Sequence, residues 1–189
     1  AHRGDPGERA PLAPVASHGA PVSAAAEAVW ADLQAGNARF IEGKPAARAL
    51  VSQRHTLVAG QHPRTIVLSC SDSRVPPELV FDQSLGDLFV VRTAGEVADA
   101  VATGSIEYAV EHLGANLIVV LGHEKCGAVT AALSDETMPT PSLRTLVDHI
   151  RPGIGRSRQA FQGDERLQRS IEANVEHSAE ELVAQSEVL

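Results

Sequence analysis

Two short segments of this chain carry the residue types that bind a transition metal, and together they contain its only two cysteines. The first is Cys70–Arg74 (CSDSR) and the second is His123–Cys126 (HEKC). Zinc favours thiolate and imidazole ligands, and three protein ligands leave its fourth tetrahedral position open, as in catalytic sites. Cys70, His123 and Cys126 are therefore the candidate zinc ligands.

The same residues permit three other interpretations. The cysteines could be two buried free thiols beside an unrelated histidine, or they could form a Cys70–Cys126 disulfide. They could also belong to a closed structural zinc site in which Asp72 is a permanent fourth ligand. The Cys-x-x-Cys spacing of redox enzymes is absent from the sequence. At this stage the residues favour a catalytic zinc site and leave the alternatives open.

Asp72 and Arg74 lie beside the first cysteine. A bidentate Arg–carboxylate pair would keep Asp72 ionised and able only to accept hydrogen bonds. Such a group could orient a protonated oxygen next to the metal. The alternative is an ordinary salt bridge within a loop.

Each segment follows a short apolar run that predicts a β-strand. Strands are predicted at 65–70, 88–92 and 117–122, because these runs are short and rich in β-branched residues. Each is apolar along its whole length, which is typical of a parallel sheet covered on both faces. Right-handed crossovers place the carboxyl ends of parallel strands at one edge. Cys70, Arg92 and His123 should therefore meet there.

Helical patterns alternate with these strands. We predict helices over 24–41, 48–60, 77–81, 97–113, 125–134, 142–151 and 157–162, and a long amphipathic helix through 167–182. The expected fold is α/β, with three layers and a central, mainly parallel β-sheet flanked by helices. Residues 1–22 are rich in Pro, Gly and Ala and are predicted to be a flexible tail. Residues 23–189 are expected to form one zinc-binding catalytic domain.

Charge and hydropathy limit the classes of partner that the protein is expected to bind. The formal net charge is −8, which argues against nucleic acid and against a basic membrane-binding surface. No apolar stretch approaches the roughly 20 residues that span a bilayer. Neither a G-x-G-x-x-G motif nor a Walker loop is present, so nucleotide binding has no support.

Four segments together resemble the β-class carbonic anhydrases. They are CSDSR at 70–74, GDLFVVR at 86–92, SIEYAV at 105–110 and GHEKCG at 122–127. Their order and spacing match the family pattern, and Asn37–Phe40 (NARF) resembles its N-terminal helix motif. The resemblance runs from about residue 28 to residue 189.

The resemblance implies one zinc ion per chain on Cys70, His123 and Cys126. It assigns Asp72 and Arg74 as the dyad that orients a zinc hydroxide nucleophile. The implied reaction is the reversible hydration of carbon dioxide to bicarbonate and a proton. Zinc lowers the pKa of bound water to about 7, which makes hydroxide available at neutral pH.

The resemblance also implies a small substrate pocket lined by Gln61, Phe89, Tyr108 and the backbone of Gly127. In the family this pocket lies at a dimer interface, so the first three residues would serve a neighbouring subunit. A homodimer or a higher even-numbered oligomer is the expected assembly. Carbon dioxide and bicarbonate are the expected small-molecule partners.

Several positions depart from the family pattern. Val67 stands where some members carry the Trp of a regulatory bicarbonate site, so no such site is predicted although Arg92 is present. Thr93 replaces a common Asn, and Ala94 is smaller than the Val of some members. The family usually continues into two further strands, whereas this sequence ends at Leu189, so the strand at 117–122 is expected to have an unpaired apolar edge. Either the sequence is truncated, or a partner or the N-terminal tail covers that edge.

Two further functions fit the same ligand set. One is hydrolysis of carbon disulfide or carbonyl sulfide, which relatives of this fold carry out at the same zinc site. The other is a non-catalytic zinc-holding assembly module, for which the missing C-terminal strands are the motivation.

Overall fold

Three parallel strands form the centre of the fold. They are β1 (Thr65–Cys70), β2 (Leu88–Thr93) and β3 (Leu117–Leu121). In the computed structural model, which describes residues 23–189, they are ordered β2-β1-β3. All six residues of β1 are buried, because this strand is central and covered on both faces. The predicted strands are confirmed to within one residue.

The strand register brings the functional segments to one edge. Cys70 pairs with Thr93 on β2, and Ser69 pairs with Arg92 on β2 and with Leu121 on β3. The carboxyl ends of all three strands therefore lie side by side, as the parallel arrangement predicted.

Seven α-helices surround the sheet in the described residues. They are α1 (Ala24–Ile41), α2 (Leu50–Thr56), α3 (Pro77–Val80), α4 (Ala100–Leu113), α5 (Gly127–Leu133), α6 (Pro141–Ala160) and α7 (Gly163–Gln185). Ser23 caps α1 through its side chain. α4 begins at residue 100 rather than 97, because the Asp99 carboxylate accepts from the N–H groups of Val101 and Ala102. It ends at Gly114, whose φ of 71° is left-handed.

Alternate side chains of β1 enter two different cores. Ile66 and Leu68 pack with α4 and with Leu182 of α7. Val67 points the other way and packs with Leu33 of α1 and with Phe81. Helices thus cover both faces of the sheet, and the predicted three-layer α/β fold is confirmed.

The prediction of two short helices around Pro152 was wrong. α6 runs without a break from Pro141 to Ala160, with Pro152 inside it. An internal proline costs a helix about 3 kcal/mol. Burial of Ile150 and Ile154 in the core shared with α5 and α7 offsets this cost. Gly153 lets α7 approach closely, since a Cβ there would lie only 2.5 Å from Cβ of His177.

The elements that follow β3 are the helices α5, α6 and α7, so the sheet has no fourth strand within residues 23–189. One edge of β3 is therefore unpaired in the described part of the chain, as expected. β2 likewise pairs only with β1 there. The predicted tail at 1–22 lies outside the described residues. Among the helices of the described part, none is both long and apolar enough to cross a membrane.

Candidate metal centre and active site

Three candidate ligands converge at the carboxyl edge of the sheet. Cys70 is the last residue of β1, His123 lies two residues beyond β3, and Cys126 caps the start of α5. Their ligand atoms all lie within 4.8 Å of one another. Between the last two, Lys125 takes a left-handed φ of 56°, which accompanies the sharp turn from strand to helix. The predicted constellation is therefore assembled.

The distance between the two sulfurs suits one shared ion. Sγ of Cys70 and Sγ of Cys126 are 4.0 Å apart, and both cysteines are free and buried. Two thiolates at about 2.3 Å from a tetrahedral zinc would be separated by about 3.8 Å. The structure thus holds free thiols rather than a disulfide, and their spacing fits a zinc ion.

The imidazole of His123 also fits a metal ligand. Its Nδ1 lies 2.9 Å from the carbonyl oxygen of Glu124 and donates to it, which leaves the lone pair on Nε2. Nε2 is buried and has no hydrogen-bond partner among the described residues. A buried nitrogen of this kind normally has a partner, and a metal ion between the two sulfurs would supply one.

The two cysteines titrate as a pair. A hydrogen bond from the Cys126 thiol holds the pKa of Cys70 below its ordinary value, and the N–H of Gly95, 3.3 Å away, contributes. As the donor of that bond, Cys126 has its own pKa raised. Cys70 therefore favours the thiolate, which is the form that binds metals.

The turn that supplies the Gly95 N–H follows β2 directly. Residues Ala94–Glu96 form a short 3-10 turn, and Gly95 has a φ of 71°. A Cβ at this position would lie 2.7 Å from Cδ1 of Ile150, so glycine is required by space as well as by conformation.

Asp72 and Arg74 form the bidentate pair that the sequence suggested. Nε of Arg74 donates to Oδ1 at 2.8 Å, Nη2 donates to Oδ2 at 2.7 Å, and the backbone N–H of Arg74 adds a third bond to Oδ1. These bonds hold the pKa of Asp72 well below its usual range. Oδ2 lies 3.8 Å from Nε2 of His123, so the ionised carboxylate borders the three ligands.

Arg92 has a positioning role that local sequence does not indicate. Its guanidinium donates twice to the carbonyl oxygen of Cys70 and once, at 2.6 Å, to that of Asp72. Arg92 thus binds the backbone on both sides of Ser71. Its register partner Ser69, one residue before Cys70, would have indicated this proximity once the strands were paired.

Glu96 and Asn174 are a second feature without a sequence signal. Glu96 is fully buried, and its Oε1 accepts from Nδ2 of Asn174 at 2.8 Å. Burial raises the pKa of Glu96 to about 7, although the bond from Asn174 opposes this. A lone glutamate after a strand does not predict such a pair, because Asn174 lies on α7.

Of the predicted pocket residues, only Gly127 lies beside the candidate ligands of its own chain, as the first residue of α5. Phe89 pairs with Ile66, four residues before Cys70, or about 13 Å along the strand. The ring of Tyr108 is centred 6.5 Å from that of Phe89. Gln61 precedes β1 by four residues. These three residues therefore belong to another part of the subunit.

Sequence comparison links the chain to known enzymes. The family model for carbonic anhydrase matches residues 65–189. The chain is 47% identical over 154 residues to carbonic anhydrase 2 of Mycobacterium tuberculosis, covering 78% of this chain and 74% of the relative. It is 49% identical over 137 residues to a carbonic anhydrase of Mycolicibacterium smegmatis, covering 70% and 66%.

Comparison with solved structures also links the chain to carbonic anhydrases. The β-carbonic anhydrase CafA of Aspergillus fumigatus superposes with a TM-score of 0.63 at 30% identity, over 81% of this chain and 74% of that one. A tetrameric β-carbonic anhydrase of Sordaria macrospora superposes with a TM-score of 0.64 at 26% identity, over 86% and 83%. With its Cys-His-Cys group at the carboxyl edge of a parallel sheet, the chain belongs to the β class of the carbonic anhydrase family, the enzymes of reversible carbon dioxide hydration.

Proposed function

We propose that this chain hydrates carbon dioxide with one zinc ion held by Cys70, His123 and Cys126. The observation that carries the proposal is the position of the Asp72 carboxylate, 3.8 Å from a buried and unpartnered imidazole nitrogen. Two sulfurs and one imidazole nitrogen are a zinc ligand set, and three such ligands leave a position for the reaction. When bound, zinc would lower the pKa of water to about 7 and so supply hydroxide at neutral pH.

Asp72 selects and orients the nucleophile. Arg74 keeps Asp72 ionised, so the carboxylate can only accept hydrogen bonds. A nucleophilic oxygen beside it must therefore carry a proton, and it turns a lone pair away from Asp72 towards the carbon of carbon dioxide. Arg92 holds the backbone of Cys70 and Asp72 in one position, which keeps the acceptor and the ligand aligned.

The pocket is completed by a second copy of the chain. Gln61, Phe89 and Tyr108 lie away from the ligands of their own subunit, as the strand register indicates for Phe89. Two large apolar side chains of α4 are exposed, Tyr108 at 48% and Val101 at 79%, and they lie about two helical turns apart on one side of the helix. We infer a homodimer in which this side of α4 faces the partner's zinc ligands. The tetrameric relative from Sordaria macrospora supports an even-numbered assembly.

Metal analysis combined with stopped-flow carbon dioxide hydration tests the proposal. We expect one zinc per chain, a rate well above buffer, and loss of that rate when a chelator removes the metal. Stoichiometric zinc with no rate above buffer would overturn it.

Asp72→Asn tests the role of the carboxylate. It should retain zinc and lose about 100-fold in rate, because the nucleophile is no longer oriented. Asp148→Asn is the matched control, since Asp148 also pairs with an arginine, Arg151, but on the exposed side of α6. Loss of zinc from the Asp72 variant would instead identify Asp72 as a metal ligand.

A further inference from the structure

A buried amide on α7 holds the turn that contacts the Cys70 sulfur. Nδ2 of Asn174 donates to the carbonyl oxygen of Gly95 at 2.9 Å and to Oε1 of Glu96 at 2.8 Å. An amide NH₂ has two hydrogens, so both are used in these two bonds. Asn174 is 1% exposed and Glu96 is fully buried, so water does not compete for the bonds.

The same turn reaches the metal centre from its other side. The N–H of Gly95 donates to Sγ of Cys70 at 3.3 Å. The two peptide groups that flank Gly95 are thus both engaged, one by Asn174 and the other by a candidate zinc ligand. Any displacement of the turn would remove the donor from the sulfur.

The turn needs an anchor because its backbone is strained. Gly95 and Glu96 have consecutive left-handed φ values of 71° and 44°. A non-glycine residue in this region costs of order 1 kcal/mol and persists only when its surroundings hold it there. The contacts that Asn174 makes with both residues supply that restraint.

We propose that Glu96 and Asn174 are positioning residues that hold the Gly95 N–H against Cys70 Sγ and thereby strengthen zinc binding. The inference rests on the proposed zinc site. It extends the site to α7, 79 residues along the chain from the turn. Partners that orient a metal ligand from behind typically contribute 10- to 100-fold to metal affinity.

The test is zinc affinity, measured by competition with a chromophoric chelator. Asn174→Leu removes both donors while keeping the same number and branching of side-chain heavy atoms, and we expect zinc to bind 10- to 100-fold more weakly. The thiolate-to-metal absorption band of the cobalt-substituted protein should also shift, because one sulfur loses its hydrogen bond. Asn174→Ser replaces this variant if the leucine variant folds poorly. The serine side chain is too short to reach the turn, so it should cause the same changes.

Two further variants separate positioning from packing. Glu96→Gln keeps an acceptor for Asn174 and should bind zinc within about threefold of wild type. Ser170→Ala is the matched control, because Ser170 is buried one turn earlier on α7 and its Oγ has no partner among the described residues. It should leave both the affinity and the cobalt band unchanged.

The proposal is overturned if the Asn174 variants bind zinc like wild type with an unshifted band. Equal weakening by Ser170→Ala would also overturn it, because general packing of α7 would then be the cause. These readouts do not require turnover. Failure of the wild-type protein to hydrate carbon dioxide would therefore count against the proposed function and not against this role.

Discussion

The guanidinium of Arg92 donates two hydrogen bonds to the carbonyl oxygen of Cys70, at 3.0 and 2.8 Å. This carbonyl ends β1 at the residue whose sulfur is the first candidate ligand. A forked, charged donor fixes a carbonyl in both distance and direction, which a single neutral donor does not. The arginine therefore fixes the backbone of the candidate metal centre without touching a candidate ligand atom.

Arg92→Lys should weaken the site although the charge is kept. A lysine ammonium cannot reproduce the planar fork that spans the carbonyls of Cys70 and Asp72. We expect about a tenfold loss in zinc affinity and in hydration rate, measured by chelator competition and stopped flow. Arg64→Lys, which alters an exposed pair with Asp32, is the control and should change neither. An unchanged zinc affinity in Arg92→Lys would contradict this account.

Bicarbonate should inhibit only as a product and without cooperativity. Two nitrogens of Arg92 are already bonded to backbone carbonyls, and Val67 is fully buried against Leu33 and Phe81. We expect the initial rate of carbon dioxide hydration to fall hyperbolically as the bicarbonate concentration rises. A cooperative inhibition curve, or bicarbonate bound to Arg92 in a soaked crystal, would refute the prediction.

Mixing two inactive variants should restore activity if the pocket is shared between subunits. Cys70→Ser removes a proposed zinc ligand, and the double variant Gln61→Ala/Tyr108→Ala removes two proposed pocket residues. Random pairing makes half of the dimers mixed, each with one intact site of two, so about a quarter of wild-type activity should return. A mixture of Cys70→Ser with Asp72→Asn is the control. It should stay inactive, because each substitution disables the metal site of the chain that carries it, and a mixed dimer therefore has no intact site. No recovery in the first mixture would place the pocket within one subunit.

Asp82 should link stability to pH in the acid range. Burial alone would raise the pKa of Asp82, but hydrogen bonds from Arg39, from the Ala46 N–H and from Arg48 hold it at about 2. A carboxyl whose pKa is lower in the folded state stabilises the fold above its unfolded pKa of 3.8, and this contribution is lost as pH falls towards 2. Asp82→Asn should therefore cost about 2 kcal/mol at pH 7, and this difference from wild type should shrink between pH 4 and pH 2.

Urea unfolding of the zinc-free proteins, followed by the fluorescence of Trp30, measures this effect. The Trp30 side chain packs against the core cluster that contains Phe81, the residue before Asp82, so its fluorescence reports on the unfolding of this core. Glu172→Gln, which removes a partner from an exposed pair with Arg169, should change stability by less than about 0.5 kcal/mol at any pH. A constant difference between Asp82→Asn and wild type across the acid range would contradict the assignment.

Gly36→Ala should destabilise the fold strongly although alanine is the better helix former. A Cβ at position 36 would lie 1.8 Å from the backbone carbonyl oxygen of Phe81, so α1 would have to move away. We expect a loss of at least about 2 kcal/mol in the free energy of unfolding. Gly155→Ala in α6 has no atom within 4 Å of the new Cβ and should be neutral or slightly stabilising. Equal effects of the two changes would show that α1 does not pack as described.

Local sequence was sufficient where one type of structure was strongly favoured. The run from Thr65 to Cys70 is apolar, β-branched and too short for a helix, and it forms β1 over those residues. Local sequence was misleading at Pro152. A proline predicts the end of a helix, but burial of Ile150 and Ile154 keeps α6 intact. Propensity acts on neighbouring residues, whereas the packing that opposes it comes from α5 and α7.

The sequence by itself determined the candidate ligand set and the parallel sheet, since Cys70, His123 and Cys126 are residue types that bind metals and they follow strand-like runs. Tertiary structure alone decided which groups support them. Arg92 reaches the Cys70 carbonyl only when β1 and β2 pair in register. Asn174 reaches the Gly95 turn only when α7 packs behind the metal centre. Hydrogen bonds between distant residues depend on ångström-scale placement in space, and spacing along the chain carries no record of it.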